Sequence, residues 1–435
     1  MTLQQVHDRI EQSRLRPYQM LIIALGVTIN LLDGYDILAL SVISPILTRE
    51  WHLGPEALGL LLSATLAGTA AGGFLLSPIA DLWGRRTSIM INLALMSIGM
   101  LFSSAANSVE MLWAMRFLTG LGVGAMSASV GTLIYEYCNL RSRNLGLGLV
   151  VVGYSVGQVL GGYVAPWLRD DFSWRGVFVF GGTCSAALLP LIYFKLPESL
   201  DVMVIRQTPQ ALTAVNKVLG KLSLPAFATL PPPPVKAKHA SLLDLVRPPI
   251  LARTALMALS YFFYMMTEYF FFGWNNQLTT NAGFADADGI FITRLTSYGG
   301  IAGGIAVGIL TFKWPLRPVS AATLTMMGLS LMVFGAAANN LLLAQWAAFI
   351  NGTCIMASAV MLYAAGSTTF PVRVRATGMG VVMSAGRLGS IFGPAAAGFM
   401  LGADFSRFSV CLLLSLPVLV SIATLVRVPL TPVEA

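Results

Sequence analysis

The chain has 435 residues, of which 56% are hydrophobic and only 11% are charged, and its formal net charge is +8 at pH 7. Ordinary globular domains carry about 25% charged residues, so this composition excludes a soluble protein and indicates a chain embedded in a lipid bilayer. The basic excess does not indicate a nucleic-acid partner, because in a membrane protein the informative quantity is how positive charge is distributed among the loops.

Apolar segments long enough to span a bilayer fall into two groups of six. A transmembrane helix needs about 20 mostly apolar residues, so the pattern predicts an all-α membrane protein with twelve transmembrane helices in two bundles. The predicted N-terminal bundle covers residues 1–196, a cytoplasmic linker covers 197–249, and the C-terminal bundle covers 250–435. The predicted spans are 18–47, 55–79, 87–106, 110–136, 145–168, 175–195, 251–279, 288–312, 319–338, 341–367, 377–402 and 407–427.

Basic residues mark one side of the membrane in every second loop. That side carries pairs such as Arg85 and Arg86 together with the basic central stretch, whereas the opposite loops carry fewer basic residues. Cytoplasmic loops are enriched in Lys and Arg, so both termini and the central loop are predicted to be cytoplasmic.

The central stretch contains two recognisable segments. Residues 231–234 are four consecutive prolines, which form a stiff extended spacer rather than part of a core. Between Pro209 and Leu222 the sequence permits an amphipathic helix on the inner leaflet. The alternative for the whole stretch is a solvated linker that joins the two bundles.

Two acidic residues interrupt the first apolar run. Asp33 and Asp36 are three residues apart, with Gly34 between them, and therefore lie near one face of a helix. A charge at mid-depth in a bilayer costs about 3 kcal/mol on insertion scales, so such residues usually have a polar function. We expect both acids to line a water-filled path, with Gly34 favouring a kink. The alternative is that one of them only pairs with a buried arginine.

The two halves of the sequence share a common register. The pattern Arg-x-Arg-x-x-Gly-x-Gly at Arg141 recurs at Arg373, an offset of 232 residues (373 − 141). At this offset several glycines of the first half meet glycines of the second, and Asp36 meets Glu268, the acid of the seventh span. Such a register predicts two related six-helix halves in the same orientation.

Two parallel six-helix halves resemble the architecture of the major facilitator superfamily, whose substrate site lies between the halves near the midplane. The loop Ser77–Arg86 is similar to that superfamily's signature G-x-L-A-D-x-x-G-R-[KR], except that Ser77 replaces the first glycine and Ile79 replaces leucine. The resemblance implies a cytoplasmic gate between the halves; the alternative is that the basic residues only anchor the cytoplasmic side. The gate would include Asp81, Arg85, Arg86, Glu136, Arg143 and Arg375.

The sequence Asp33-Gly34-Tyr35-Asp36 narrows the resemblance. It is similar to the D-G-[FY]-D signature of the aromatic acid/proton symporters, as are segments of the eleventh span. The resemblance implies a proton-coupled importer of benzoate-type or hydroxybenzoate-type acids in a bacterial inner membrane, monomeric and without a cofactor. Proton-linked transport would depend on Asp33 and Asp36. Uptake would also depend on the charged residues Arg116, Glu136, Arg375 and Arg387.

An aromatic carboxylate needs a cation for its anionic end and flat apolar or aromatic walls for its ring. Residues of these kinds occur inside the first, fourth, seventh and eleventh spans. The predicted substrate-binding residues are Arg116, Arg387, Tyr35, Glu268, Trp274 and Asn275, with Arg294 as a further candidate cation. Protonation of Asp33 or Asp36 would remove a buried charge and ease passage between outward-facing and inward-facing states.

Several other functions compete with this prediction. A carrier of the same superfamily could import aliphatic carboxylates or export drugs, although an exporter more often has Gly-Pro in its fifth span, where this chain has Gly161-Gly162. A membrane enzyme is disfavoured because HExxH and GxxxxGK[ST] patterns are absent. A transporter-like sensor is disfavoured by the polar central stretch. An intramembrane histidine relay or metal site is excluded, because the histidines, His7, His52 and His239, lie outside the predicted spans.

Overall fold

The structure, a computed structural model, describes residues 3–13, 15–207, 209–230, 245, 248, 250–311, 314–371 and 374–429. These residues form helices joined by short loops, without strands. The proline run at 231–234, predicted to be a spacer, lies outside the described residues.

The part of the chain described before residue 231 folds into nine helices. They are α1 (Leu3–Gln12), α2 (Pro17–Glu50), α3 (Pro55–Leu75), α4 (Ser77–Trp83), α5 (Arg85–Ser104), α6 (Val109–Tyr137), α7 (Leu140–Lys195), α8 (Leu200–Arg206) and α9 (Pro209–Lys221). The long helix α7 changes direction at Phe172 and Ser173, whose φ/ψ angles of −128°/17° and 65°/169° are not helical. It therefore contains the fifth and sixth predicted spans, one on each side of this break.

From residue 250 the described chain folds into six more helices. They are α10 (Ile250–Asn281), α11 (Asp286–Leu310), α12 (Leu316–Ala336), α13 (Leu341–Thr369), α14 (Arg375–Gly402) and α15 (Arg407–Arg427). Ten helical segments of the described chain are long and apolar enough to cross a membrane, and one of them, Leu145–Lys195, contains two spans. The 28-residue α14 is not among the ten; its sequence includes Arg387. All twelve predicted spans fall on helices, and the predicted all-α membrane fold is confirmed.

Helix packing repeats between the two halves. α2 packs against α7 as α10 packs against α14, and α3 packs against α6 as α11 packs against α13. A Cβ atom added at Gly120 would lie 2.0 Å from the Thr65 carbonyl oxygen, and one at Gly352 would lie 2.0 Å from that of Thr296. Only glycine leaves room for such backbone contacts, so glycines of the common register position the helices in both halves.

The ends of the helices define two faces of the bundle. The terminal face is the end at which α2 begins and α3 ends, and the distal face is the end at which α2 ends and α3 begins. In the predicted topology the terminal face is cytoplasmic.

The two halves are in close contact towards the distal face. α3 and α14 meet at Gly59 and Gly398, where a Cβ atom added at Gly59 would lie 2.8 Å from the Gly398 Cα. The Asn276 side chain of α10 donates to the Ser41 carbonyl of α2 over 2.9 Å. Towards the terminal face, by contrast, α7 and α11 flank a cavity of about 210 Å³ that Gly148 and Gly304 help to line. The structure is therefore closed at the distal face and looser at the terminal face.

Charged side chains reinforce the distal closure. Asp286, in the first turn of α11, pairs with Arg49 of α2 and lies 3.9 Å from Arg169 of α7. The hydroxyl groups of Tyr163 and Tyr298 are 2.8 Å apart and also join the two halves. Because the arginines and Asp286 belong to different halves, these ion pairs favour the state in which the distal face is shut.

Removing the charge of Asp286 is expected to favour opening of the distal face. Exposed ion pairs contribute about 0.2–1 kcal/mol, so losing about 1 kcal/mol would raise the open population about fivefold. The measurement is the labelling rate of a Thr65→Cys variant, otherwise free of cysteine, by a membrane-impermeant thiol reagent added at the distal face. Asp288→Asn is the matched control, because Asp288 lies in the same turn but accepts the Ala285 N–H. Equal labelling rates in Asp286→Asn and Asp288→Asn would contradict the proposed effect of the ion pairs.

The helix expected between residues 209 and 222 is present as α9. Its apolar residues Ala211, Val215 and Leu219 are buried, and the Lys221 ammonium lies 4.4 Å from the centre of the Tyr18 ring at the start of α2. The apolar face of α9 is therefore buried against protein.

Candidate binding site between the halves

Asp33 and Asp36 lie at the middle of α2, which runs as one helix from Pro17 to Glu50. The kink expected at Gly34 is therefore wrong. Gly34 serves helix packing instead, since a Cβ atom there would stand 2.0 Å from the Tyr154 carbonyl oxygen of α7. This close approach places α7 directly beside the two acids.

Asp36 forms a buried ion pair with Arg116 of α6. The Arg116 Nη1 donates to Asp36 Oδ1 over 2.6 Å, and both side chains are fully buried. Arg116 also donates to Ser103 (3.1 Å) and Thr119 (2.7 Å), and its guanidinium lies 4.5 Å from the centre of the Phe178 ring. Arg116 is thus compensated inside the N-terminal half and does not offer a free cation to a substrate in this state, contrary to expectation.

A small cavity at the midplane lies between Asp36 and the C-terminal half. Its volume is about 30 Å³, which is about the space of one water molecule. Both halves line it, through residues that include Asp36, Thr65, Tyr269 and Pro394. The Asp36 Oδ2 atom has no hydrogen-bond partner in the described structure, so it can accept a proton or a water molecule. An aromatic ring does not fit this volume, and binding requires the halves to move apart.

Four side chains from both halves converge beside this cavity. We call Asp33 of α2, Tyr154 of α7, Tyr269 of α10 and Arg387 of α14 the midplane cluster. The hydroxyl groups of Tyr154 and Tyr269 are neighbours across the two halves, and Asp33 and Arg387 are near enough to interact with Tyr269 and with each other. The Asp33 Oδ1 atom is buried without a hydrogen-bond partner. The cluster therefore contains an acid from one half and a cation from the other.

Arg387 reaches from the C-terminal half into the N-terminal half. Its Nη1 donates to the Thr69 carbonyl of α3 over 3.2 Å, and its Nη2 donates to the Gly124 carbonyl of α6 over 3.0 Å. Gly73 leaves the necessary room, because a Cβ atom there would stand 1.7 Å from Nη1. Carbonyl oxygens carry only partial charge, so these contacts orient the guanidinium without neutralising it.

Three predicted substrate contacts do not line the midplane cavity. Tyr35 donates to a carbonyl of α7 over 2.8 Å, and Trp274 donates to the Pro394 carbonyl over 3.0 Å. Asn275 accepts from a threonine of α11 over 2.7 Å. Each of these polar groups has a buried partner within its own half, and the Asn275 Nδ2 atom has none.

The predicted gate residues at the terminal end of α3 contact their own half. The side chain of Asp81 lies outside the described residues. Arg85 donates to the Ala80 carbonyl over 3.3 Å, and the Arg86 guanidinium contacts the Tyr193 carbonyl and lies 5.0 Å from the centre of the Tyr193 ring. The Arg86 contacts connect α5 to α7.

The remaining gate residues also lie at the terminal face. Glu136 accepts from two donors at the start of α8, over 2.8 and 3.0 Å. Arg143 pairs with Glu11 of α1 at 2.7 Å, and Arg375 donates to the Phe370 carbonyl over 3.4 Å. The contacts of Arg86, Arg143 and Arg375 described here all lie within one half.

Tyr154 and Tyr269 were not predicted as site residues. Tyr269 follows directly after Glu268, the acid of the seventh span that the sequence singles out. A buried tyrosine hydroxyl needs a hydrogen-bond partner, so a tyrosine in the middle of an apolar helix is itself a signal of a polar site. That signal was available in the sequence.

Twelve spans in two pseudo-symmetric halves, with acids and arginines buried between them, define a secondary membrane transporter. The chain matches the family model of the Major Facilitator Superfamily over residues 26–394. It belongs to this superfamily and is a transporter rather than an enzyme.

Individual relatives share the whole length of the chain. The gallate transporter of Pseudomonas putida is 31% identical over 416 residues, which cover 95% of this chain and 92% of the relative. The 4-hydroxybenzoate transporter PcaK of Pseudomonas aeruginosa is 28% identical, with 94% and 92% covered. The inward-open structure of the xylose transporter XylE from E. coli is 17% identical with a TM-score of 0.73, covers 94% and 96%, and shows likeness of fold alone. The predicted resemblance to aromatic acid transporters is confirmed by these matches.

Proposed function

We propose that this chain imports aromatic carboxylates of the benzoate or hydroxybenzoate type together with protons. Import would proceed by alternating access in a bacterial inner membrane, with both termini in the cytoplasm. Two relatives that match more than nine-tenths of the chain are named for gallate and 4-hydroxybenzoate. The observation that supports the proposal is the midplane cluster, in which Asp33 of one half lies near Arg387 of the other.

Arg387 is the cation proposed to bind the substrate carboxylate. Its present acceptors are the neutral carbonyl oxygens of Thr69 and Gly124. A carboxylate would replace them with charge-assisted hydrogen bonds, which are roughly twice as strong. The rings of Tyr269 and Phe272 line the adjacent cavity and supply flat walls for the aromatic ring.

Coupling follows from the charge of the midplane cluster. With Asp33 ionised and no substrate bound, the acid compensates Arg387. With Asp33 protonated and a carboxylate bound, the substrate compensates Arg387 instead. A proton alone or a substrate alone leaves one uncompensated charge in a poorly hydrated site, which is costly. That cost opposes reorientation of the half-loaded carrier, so proton and substrate cross together.

Asp36 is proposed as the second group that handles the proton. Asp36 lines the midplane cavity, its Oδ2 atom has no hydrogen-bond partner, and its Oδ1 atom is held by Arg116. A proton that arrives through the cavity can therefore reach Asp36 without first breaking the hydrogen bond to Arg116.

The terminal face would close in the opposite state through the predicted gate. In that state the cavity of about 210 Å³ between α7 and α11 is expected to collapse, and Arg85, Arg143 and Arg375 are proposed to change partners across the halves.

The test is uptake of radiolabelled 4-hydroxybenzoate, benzoate and citrate into proteoliposomes with an inwardly directed proton gradient. We expect accumulation of the aromatic acids that stops when an uncoupler collapses the gradient, and no accumulation of citrate. Empty liposomes and the Arg387→Met variant are the controls. Accumulation of citrate but not of the aromatic acids would favour an importer of aliphatic acids. Aromatic uptake that ignores the proton gradient would contradict coupling.

A further inference from the structure

Glu268 is a buried acid of α10 that the proposed transport cycle does not use. Its relative exposure is 9%, and its Oε2 atom has no hydrogen-bond partner. Asp36, which occupies the same position in the first half, is compensated by Arg116. At the common offset of 232 residues (348 − 116) the counterpart of Arg116 is Ala348. Within the described residues no ion pair involves Glu268, so the second half keeps the acid without its cation.

The hydrogen bonds around Glu268 indicate which group donates. The carboxyl group contacts the Tyr264 hydroxyl one helical turn earlier. That hydroxyl has a single proton, and it donates this proton to the Ile355 carbonyl of α13 over 3.0 Å. With that proton engaged by the carbonyl, Tyr264 supplies no donor to the Glu268 Oε2 atom, which stays without a hydrogen-bond partner.

Glu268 lies near residues of the proposed substrate site. Tyr269, the following residue, lines the midplane cavity. Glu268 is near enough to interact with Tyr269 and with Tyr154, which comes from the other half. Arg387 interacts with the same Tyr269 hydroxyl. A cation and an unpaired acceptor are thus found around one tyrosine, as required by a ligand with an anionic end and a hydroxyl group.

We propose that Glu268 accepts a hydrogen bond from a ring hydroxyl of the substrate and so selects hydroxylated aromatic acids over unsubstituted ones. The proposal rests on the proposed transport of aromatic acids, and it identifies the side chain that recognises the ring substituent. A buried acceptor left unpaired costs about 1–3 kcal/mol. An acid without the hydroxyl leaves Glu268 Oε2 unpaired, whereas a hydroxylated acid satisfies it.

The test compares uptake of 4-hydroxybenzoate, benzoate and 4-methoxybenzoate by proteoliposomes that contain wild type, Glu268→Met or Glu268→Gln. Methionine removes the acceptor at similar length. Glutamine keeps a side-chain oxygen as an acceptor for the substrate at the same length. In Glu268→Met we expect the KM for 4-hydroxybenzoate to rise about 5- to 100-fold, with the KM values for benzoate and 4-methoxybenzoate nearly unchanged. In Glu268→Gln we expect the preference for 4-hydroxybenzoate to persist.

Each outcome decides the proposal. Equal losses for all three acids in folded Glu268→Met protein would show a structural role and overturn it. Loss of the hydroxyl preference in Glu268→Gln, which keeps an acceptor oxygen, would show that the acceptor does not select the hydroxyl group and would also overturn it. If Glu268→Met is not recovered folded, Glu268→Asp, which withdraws the carboxyl group by one methylene, is expected to raise the KM for 4-hydroxybenzoate selectively. Wild type that transports none of the aromatic acids would instead contradict the proposed function itself.

Discussion

Replacing Asp36 with asparagine is expected to reduce uptake by about two orders of magnitude. The substitution leaves Arg116 fully buried with its compensating charge removed, and breaking one side of a buried pair costs about 3–5 kcal/mol. It also removes the carboxyl oxygen that faces the midplane cavity. The measurements are the yield of monodisperse protein and the initial rate of 4-hydroxybenzoate uptake per folded transporter.

The double variant Asp36→Asn/Arg116→Gln separates the two effects. Removing both charges relieves the uncompensated arginine, so we expect the yield of folded protein to recover. Uptake should stay low, because Asp36, the second proposed proton-handling group, is still missing. A double variant with wild-type uptake would show that the pair only supports the fold, and a single variant with wild-type uptake would contradict any functional role of Asp36.

Replacing Gly34 with alanine is expected to destabilise the N-terminal half and to impair transport. The added Cβ would stand 2.0 Å from the Tyr154 carbonyl oxygen, which belongs to the backbone of α7. The two helices have to separate, at a typical overpacking cost of about 1–3 kcal/mol. Because Tyr154 belongs to the midplane cluster, the same movement displaces the site. The melting temperature of the purified protein and its rate of uptake are the measurements.

Gly131→Ala is the matched control for that prediction. Gly131 lies within α6, and a Cβ atom added there meets no atom within 4 Å. Alanine has the higher helix propensity, by about 1 kcal/mol, so the melting temperature of this variant should be unchanged or higher. If Gly34→Ala and Gly131→Ala melt and transport alike, the close contact between α2 and α7 does not matter for function.

The twelve spans and the relation between the halves could be predicted from the sequence. Span length is imposed by bilayer thickness. Glycines that close backbone contacts require recur at a fixed offset in the two halves of the sequence, as Gly120 and Gly352 show. The break at Phe172 and Ser173 inside α7 could be predicted as well, because a polar segment between two apolar runs indicates two separate spans.

The partners of the buried charges could not be predicted in the same way. Asp33 and Asp36 differ by about 60° around the helix axis, and only the rotation of α2 within the fold decides which of them meets Arg116. Tyr35 and Trp274 are residue types that are typical of binding sites, yet each donates a hydrogen bond to a backbone carbonyl. A polar group in an apolar span has the same sequence signature whether its partner is protein or substrate.

The sequence also does not predict which state of the transport cycle the structure adopts, because one chain adopts every state of its cycle. The contacts of Arg143 and Arg375 within their own halves belong to a state closed at the distal face. The gate predicted from the signature loop is therefore a prediction about the other state.

Proton flux recorded together with 4-hydroxybenzoate uptake in the same proteoliposomes, for wild type and for Asp33→Asn, tests the coupling most directly. For wild type we predict that protons enter with the substrate. For Asp33→Asn we predict that any remaining substrate movement carries no protons, because the group that exchanges places with the substrate carboxylate at Arg387 can no longer be ionised. An Asp33→Asn protein that still moves protons with its substrate as wild type does would contradict the assignment of the coupled proton to Asp33.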